Sequence, residues 1–429
     1  MPENTEPRQS PSALTANSAP TPSQRLLWAM LLTLLSGFAL SQAFRTVTSI
    51  IADGLRTDFG LSAQSLGAFA GLFGLSFGVT QLFMGVGMDL YGLRKTVLVA
   101  FPLAILGSAI SAIAPSYHWL MLGQLLIGVG CSPAFLACTM FIARHFPGDR
   151  FAFMSGVGMG VGGLGLLFTG TPLAWLVQHY GWRAGFGLLA VLCALSWLAI
   201  YWHVHEPHLA SDDLPKPSWL EAVKGFGALF LVPHTWAIVI MGMVGYASFL
   251  TVRGLWLSPM LIDRYGFSLV ATGNVALAVS VISLFTPSVW GRLDPGASKR
   301  GRRVIIGAAG MACIFCALAV VHQAFATVAL IMLMGLMSGY AVLLYAYVRS
   351  SYPKETTGRA LSVYTMAMFL GVALMQWLSG IVAAYAESRG AEVYEYVMLF
   401  VAGMLLIGCV AFRFLPKSPL LTAQKSAKH

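Results

Sequence analysis

Twelve runs of about 20 apolar residues or more recur along the chain, each ended by a short polar stretch. They cover residues 26–52, 66–88, 96–114, 119–141, 153–177, 184–202, 236–261, 270–290, 304–321, 324–348, 360–385 and 393–414. At a rise of about 1.5 Å per residue, each run is long enough as a helix to cross about 30 Å of hydrocarbon. The pattern predicts an all-α integral membrane protein of twelve transmembrane helices. Composition agrees, because 57% of residues are hydrophobic and only 10% charged, too little polar surface to cover a water-soluble domain. Residues 1–24 are rich in Pro, Ser and Thr and predict a disordered tail, as does the stretch after residue 417. No short apolar segment with a small-residue cleavage site marks the first run as a signal peptide.

The net charge of +10 raises the question of nucleic acid, and the placement of the cations answers it. Alternate connections between runs face the same side. One set, taken with both termini, holds 20 of the 26 Lys and Arg residues and the other set holds 4. Such a bias is the positive-inside rule, so both termini are expected in the cytoplasm and the protein in the cytoplasmic (inner) membrane. The basic excess orients the chain, and no nucleic acid is called for.

A repeat divides the chain in two. "FGLS" at Phe59–Ser62 returns as "YGFS" at Tyr265–Ser268, Gly85 returns as Gly291, and Pro147 as Pro353, all at an offset of 206 residues. The expected domains are a tail (1–24), a six-helix half (25–204), a cytoplasmic linker (205–228), a second six-helix half (229–416) and a tail (417–429). Two parallel halves with a site at their interface is an arrangement used by secondary transporters.

The connection between the second and third runs reads "GVGMDLYGLRK". It resembles the signature loop of the major facilitator superfamily, and the resemblance extends over nearly the whole chain. Gly85, Asp89, Gly92, Arg94 and Lys95 match the pattern, while Leu90 and Leu93 stand where two basic residues are expected. The resemblance implies two pseudo-symmetric six-helix halves, alternating access and a monomeric, cofactor-free secondary active transporter that is no enzyme. It also implies that Asp89, Arg94 and Lys95 form a conformational latch, with Gly85 and Gly92 supplying the tight turn.

Arg45 is the unexpected residue of the first run. On a helix its own face carries Ser41, Gln42, Thr48 and Ser49, so it belongs to a polar stripe rather than to the lipid side. Arg253 lies at nearly the same depth of the seventh run, two residues from the repeat position of Arg45, with Tyr246, Phe249 and Trp256 on its expected face. Two arginines and no acid in the membrane interior are costly unless an anion visits, and guanidinium forks suit carboxylate or phosphate oxygens. A pair so placed resembles the organic-anion and organophosphate branches of the superfamily. The expected substrate-binding set is Arg45, Arg253, Gln42, Gln81, Gln376, Tyr246 and Trp256, and the expected activity is proton-coupled uptake or exchange of a small organic anion. A drug or metabolite exporter and a non-transporting sensor are the alternatives; short tails speak against the sensor, and Gln124 stands where drug exporters carry an arginine.

The remaining motifs add little. All six cysteines lie within apolar runs, and the pair Cys313 and Cys316 has no second ligand pair for a metal. "HVHEPH" at His203–His208 reads as an interfacial loop. No phosphate loop, nucleophile elbow or metal-binding histidine pair is present, so no metal or enzymatic chemistry is expected.

Overall fold

A computed structural model describes residues 23–146, 151–205 and 219–421, without the side chains of residues 89, 151–153, 155, 219–224, 354 and 355. The predicted N-terminal tail, most of the linker with His208, and the end of the C-terminal tail lie outside the described residues. Helices make up the regular structure of the described residues. Eleven apolar stretches are long enough to span a membrane, and one of them, Gly156–His203, contains the turn at Gly181 (φ 79°) and so crosses twice. The chain is thus a multi-pass membrane protein of twelve spans in two halves.

The repeat in the sequence is a repeat of local geometry. After the first and seventh spans the chain turns at left-handed glycines, Gly60 (φ 59°) and Gly266 (φ 65°), a conformation costly for a residue with a Cβ. Ser62 and Ser268 then cap the second and eighth spans, each side chain accepting from the backbone N–H three residues on at 3.2 Å. A helix, Trp219–Phe230, runs from the end of the expected linker (205–228) into the second half. Its apolar residues recur every three or four positions, and Phe226 and Phe230 pack against the core. Ser418 is buried and donates to Ser351 O at 2.7 Å, so order continues into the stretch expected to be disordered.

Several spans are not continuous helices. The first consists of Gln24–Phe44 and Val47–Phe59, the fourth of Tyr117–Cys131 and Ala134–His145, and the tenth of Ala324–Ser338 and Ala341–Ser351. The fifth breaks between Phe168 and Thr171, and the seventh carries a π-helical turn at Val252–Trp256. Irregular backbone at membrane depth is tolerated only inside protein or beside a cavity. Thr46, Ser132, Thr169 and Tyr340 at the breaks are all fully buried.

The halves meet closely on the side away from the termini, here called the far side. A Cβ on Gly67, Gly71 or Gly74 of the second span (Ala63–Tyr91) would lie 2.6–2.9 Å from carbonyl oxygens of the eleventh span (Lys354–Ser388), so the missing side chains let two backbones touch. Ser49 bonds to Ser258 at 3.1 Å, Thr171 to Asn274 at 2.6 Å, and Arg56 pairs with Asp263 at 3.1 Å. Towards the terminal side the glycines among the described residues no longer meet the opposite half. Gly85 meets only Leu136 of its own half, and Gly156 and Gly160 meet nothing within 4 Å. Among the described residues, then, the halves touch on the far side and these terminal-side glycines stand clear of the opposite half.

Candidate substrate cavity

At the depth of the break in the first span lies a cavity of about 210 Å³ between the halves. Gln42, Arg45 and Gln81 line it from one half, and Tyr246, Tyr345 and Thr365 from the other. Among the described residues, Arg45 is the one charged residue of the wall. Its guanidinium donates to Tyr246 Oη at 3.3 Å and lies 4.6 Å from the ring centre of Phe369, 5.2 Å from Phe77 and 5.9 Å from Phe38. The rings cover its faces and leave N–H edges for an acceptor. Arg45 Nε, Gln42 Oε1 and Gln81 Oε1 are buried without hydrogen-bond partners.

Four of the seven expected substrate residues therefore share one wall: Arg45, Gln42, Gln81 and Tyr246. The other three sit elsewhere. Arg253 is fully buried outside the cavity wall, its Nε donating to Ser280 Oγ at 3.2 Å. Its Nη2 donates to Leu166 O at 3.3 Å, Thr169 O at 3.4 Å and Thr169 Oγ1 at 3.5 Å, all in the opposite half. Trp256 donates to Ser379 Oγ at 2.9 Å and faces a far-side vestibule with Arg56, Asp263, Arg264 and Glu392. Gln376 is buried where the second and eleventh spans touch. The π-turn explains the placing of Arg253 and Trp256, because it breaks the 3.6-residue period on which the expected face of Arg253 relied. Tyr345, Thr365 and the ring of Phe369 were missed; the two hydroxyls carry the same signal as Tyr246, a polar group in an apolar run, while nothing in the sequence marks Phe369 among the other apolar residues of its span.

Of the expected latch, Gly92 turns the chain with φ 85° and Arg94 donates to Tyr201 O at 2.8 Å, tying the third span to the sixth. Gly85 and the exposed Lys95 lie nearby, and the side chain of Asp89 lies outside the described residues. The second half repeats the turn at Gly296 (φ 85°), where Asp294 pairs with Arg300 at 2.6 Å. That guanidinium holds the Asp294 carboxyl below its ordinary range. At the far-side loop burial pushes the Glu392 carboxyl up, but the hydrogen bond from Arg264, the backbone N–H groups of Glu395 and Tyr394 and the Arg264 charge together hold it low. No group of three metal-ligating side chains occurs among the described residues, and Cys313 and Cys316 are free.

The sequence model of the Major Facilitator Superfamily matches residues 33–321 and 297–429. The chain belongs to that superfamily. It is similar to the "Hexuronate transporter" of Bacillus subtilis (strain 168), 23% identical over 52% of this chain and 54% of the relative. It also resembles the "Probable L-galactonate transporter" of Escherichia coli (strain K12), 21% identical over 86% of this chain and 85% of the relative. The chain spans about half the length of several of the curated relatives that it matches. Others are named as gallate, uridine/deoxyuridine and facilitated glucose transporters. Among solved structures, the D-xylose–proton symporter superposes with a TM-score of 0.70 at 18% identity, over 92% of this chain and 99% of that one. This superfamily member thus has relatives that carry sugar, acid and nucleoside-type solutes, and it shares their fold.

Proposed function

We propose that the protein is a secondary active transporter that moves a small hydroxylated monocarboxylate across the cytoplasmic membrane by alternating access. The observation that carries this reading is Arg45, the lone charge of the cavity wall among the described residues. One carboxylate matches one guanidinium, whereas a dianion or a phosphate brings charge that nothing in the wall balances. The unpaired amide oxygens of Gln42 and Gln81 call for a hydroxyl, which serves either orientation of an amide because it both donates and accepts. About 210 Å³ suits a single-ring or short-chain solute better than a drug-sized one. Hexuronate and galactonate, named for two relatives, each combine one carboxylate with several hydroxyls.

The cation bias supports cytoplasmic termini, and the parted terminal side is then the inward-open state. Gly85, Asp89, Gly92, Arg94 and Lys95 act as the latch when that side closes. Transport is driven by protons or by anion exchange, and the cavity is complete within one chain, as a monomer requires. A neutral-solute carrier is the second reading, favoured by the engagement of Arg45 with Tyr246 and three rings. Thermal unfolding of the purified protein with a hexuronate, a neutral hexose and a dicarboxylate separates the two. Selective stabilisation by the monocarboxylate supports the proposal, and equal stabilisation by the hexose overturns it.

A further inference from the structure

Three irregularities converge beside the cavity: the break after Phe44, the break after Phe168 and the π-turn at Val252–Trp256. A Cβ on Gly254 of the π-turn would lie 2.7 Å from Arg45 O. Thr46 and Thr169, one at each break, share a hydrogen bond of 2.6 Å. Arg253 projects from the π-turn into this junction and reaches across to the opposite half. Leu166 belongs to the last turn of helix Phe151–Phe168, at the negative end of the helix dipole, and its carbonyl also accepts from Thr169 Oγ1 at 3.1 Å.

All four acceptors of Arg253 are neutral: Ser280 Oγ in its own half, and Leu166 O, Thr169 O and Thr169 Oγ1 in the other. Its Nη1 is buried without a partner. The guanidinium is therefore fully desolvated, with incomplete compensation and no counter-ion among these contacts. Far-side contacts at Ser49–Ser258 and Thr171–Asn274 bring the same two halves together around it. When the halves separate there, Leu166 and Thr169 withdraw and water reaches the guanidinium.

We infer that Arg253 is a spring-loaded clasp of the far-side gate: its cross-half hydrogen bonds hold the gate shut, while the hydration it gains on release drives the gate open. It is a positioning residue of the transport cycle and not a ligand of the substrate. The inference rests on alternating access as proposed above, but not on the identity of the solute.

Opposite responses to two substitutions follow. Ser280→Ala removes an acceptor without touching the opposite half. It leaves Nε unpaired only in the closed state, since water can serve it in the open one, so the gate should open more often. Arg253→Met removes the clasp and the hydration drive together. Apolar side chains of similar volume are tolerated well where a poorly compensated charge was buried, so the gate should stay shut.

The reporter is Ala52→Cys, buried in the first span three residues beyond Ser49 and four before Arg56, both of which contact the seventh span. Cys313 and Cys316 are first replaced by alanine, and labelling by a charged maleimide is timed in nanodiscs, where both faces are accessible. Ser280→Ala is expected to label faster, on the order of 10-fold, and Arg253→Met more slowly than the parent. If Arg253→Met does not fold, Thr169→Val replaces it and should accelerate labelling as Ser280→Ala does. Rates that stay within twofold of the parent, or that rise equally for Ser280→Ala and Arg253→Met, overturn the clasp. The thermal-unfolding comparison can fail without affecting this result, and the reverse also holds.

Discussion

Arg45 and Arg253 lie at matching depths in symmetry-related spans, yet one edges an open cavity and the other is sealed between the halves. Arg45 is half-buried, leans on three aromatic rings and keeps a side-chain partner, Tyr246, in the opposite half. Arg253 is wholly buried and spends its donors on backbone carbonyls and hydroxyls. The same chemical group thus has a vacant acceptor position in one case and a structural duty in the other. What separates them is the local backbone: a break in the first span and an extra-wide turn in the seventh.

The largest expected effect acts on the cavity side of this contrast. Arg45→Leu should abolish transport of the anion and weaken its binding by more than about 100-fold, because it removes the only charge that the described residues place in the wall. Equilibrium binding to the purified variant checks this. On the sealed side, Gly71→Ala places a Cβ 2.7 Å from Ala373 O, a backbone atom that cannot step aside. Overpacking of about 1–3 kcal/mol should shift the population away from the far-side-closed state by roughly 5- to 150-fold, read by labelling at Ala52→Cys. A smaller effect is expected for Phe369→Leu, which removes the nearest ring from Arg45 while keeping an apolar wall. It should cost about 0.5–2 kcal/mol of anion binding without altering far-side accessibility.

The smallest effect lies outside both regions and serves as a control. The Asp294 carboxyl is held below its ordinary value of 3.8 by Arg300, so the pair's contribution to stability is present above that value and is lost as pH falls through the lowered one. Amide protection of Gly296, which donates to Asp294 Oδ1 at 3.1 Å, should be equal at pH 7 and pH 5 after correction for intrinsic exchange, and should drop only under stronger acid.

Much of the architecture was legible because it depends on local rules. Span length and hydropathy gave the crossings, and the Gly60 and Ser62 pair with its repeat at Gly266 and Ser268 gave the halves. Arg45, Gln42, Gln81 and Tyr246 were legible because each is a polar group in an apolar run. Arg253 carried the same signal but went elsewhere, since its direction depends on a π-turn that no residue of "VRGLW" announces. The break that receives it left a clue in "FTGTP", where Pro172 opens the next helix. Cavity residues such as Phe369 were not legible, because in an apolar span only packing against the other half decides which side faces the solute.

The most direct measurement is the affinity of the wild-type protein, Arg45→Lys and Arg253→Lys for one hydroxylated monocarboxylate, with folding verified for each. An ammonium keeps the charge but cannot reproduce the planar fork. Arg45→Lys should therefore weaken binding about 10- to 150-fold, while Arg253→Lys should stay within about threefold of wild type. Equal losses in both variants, with no further loss in the double variant, would mean that the two arginines hold the anion together and would contradict the division of labour drawn here.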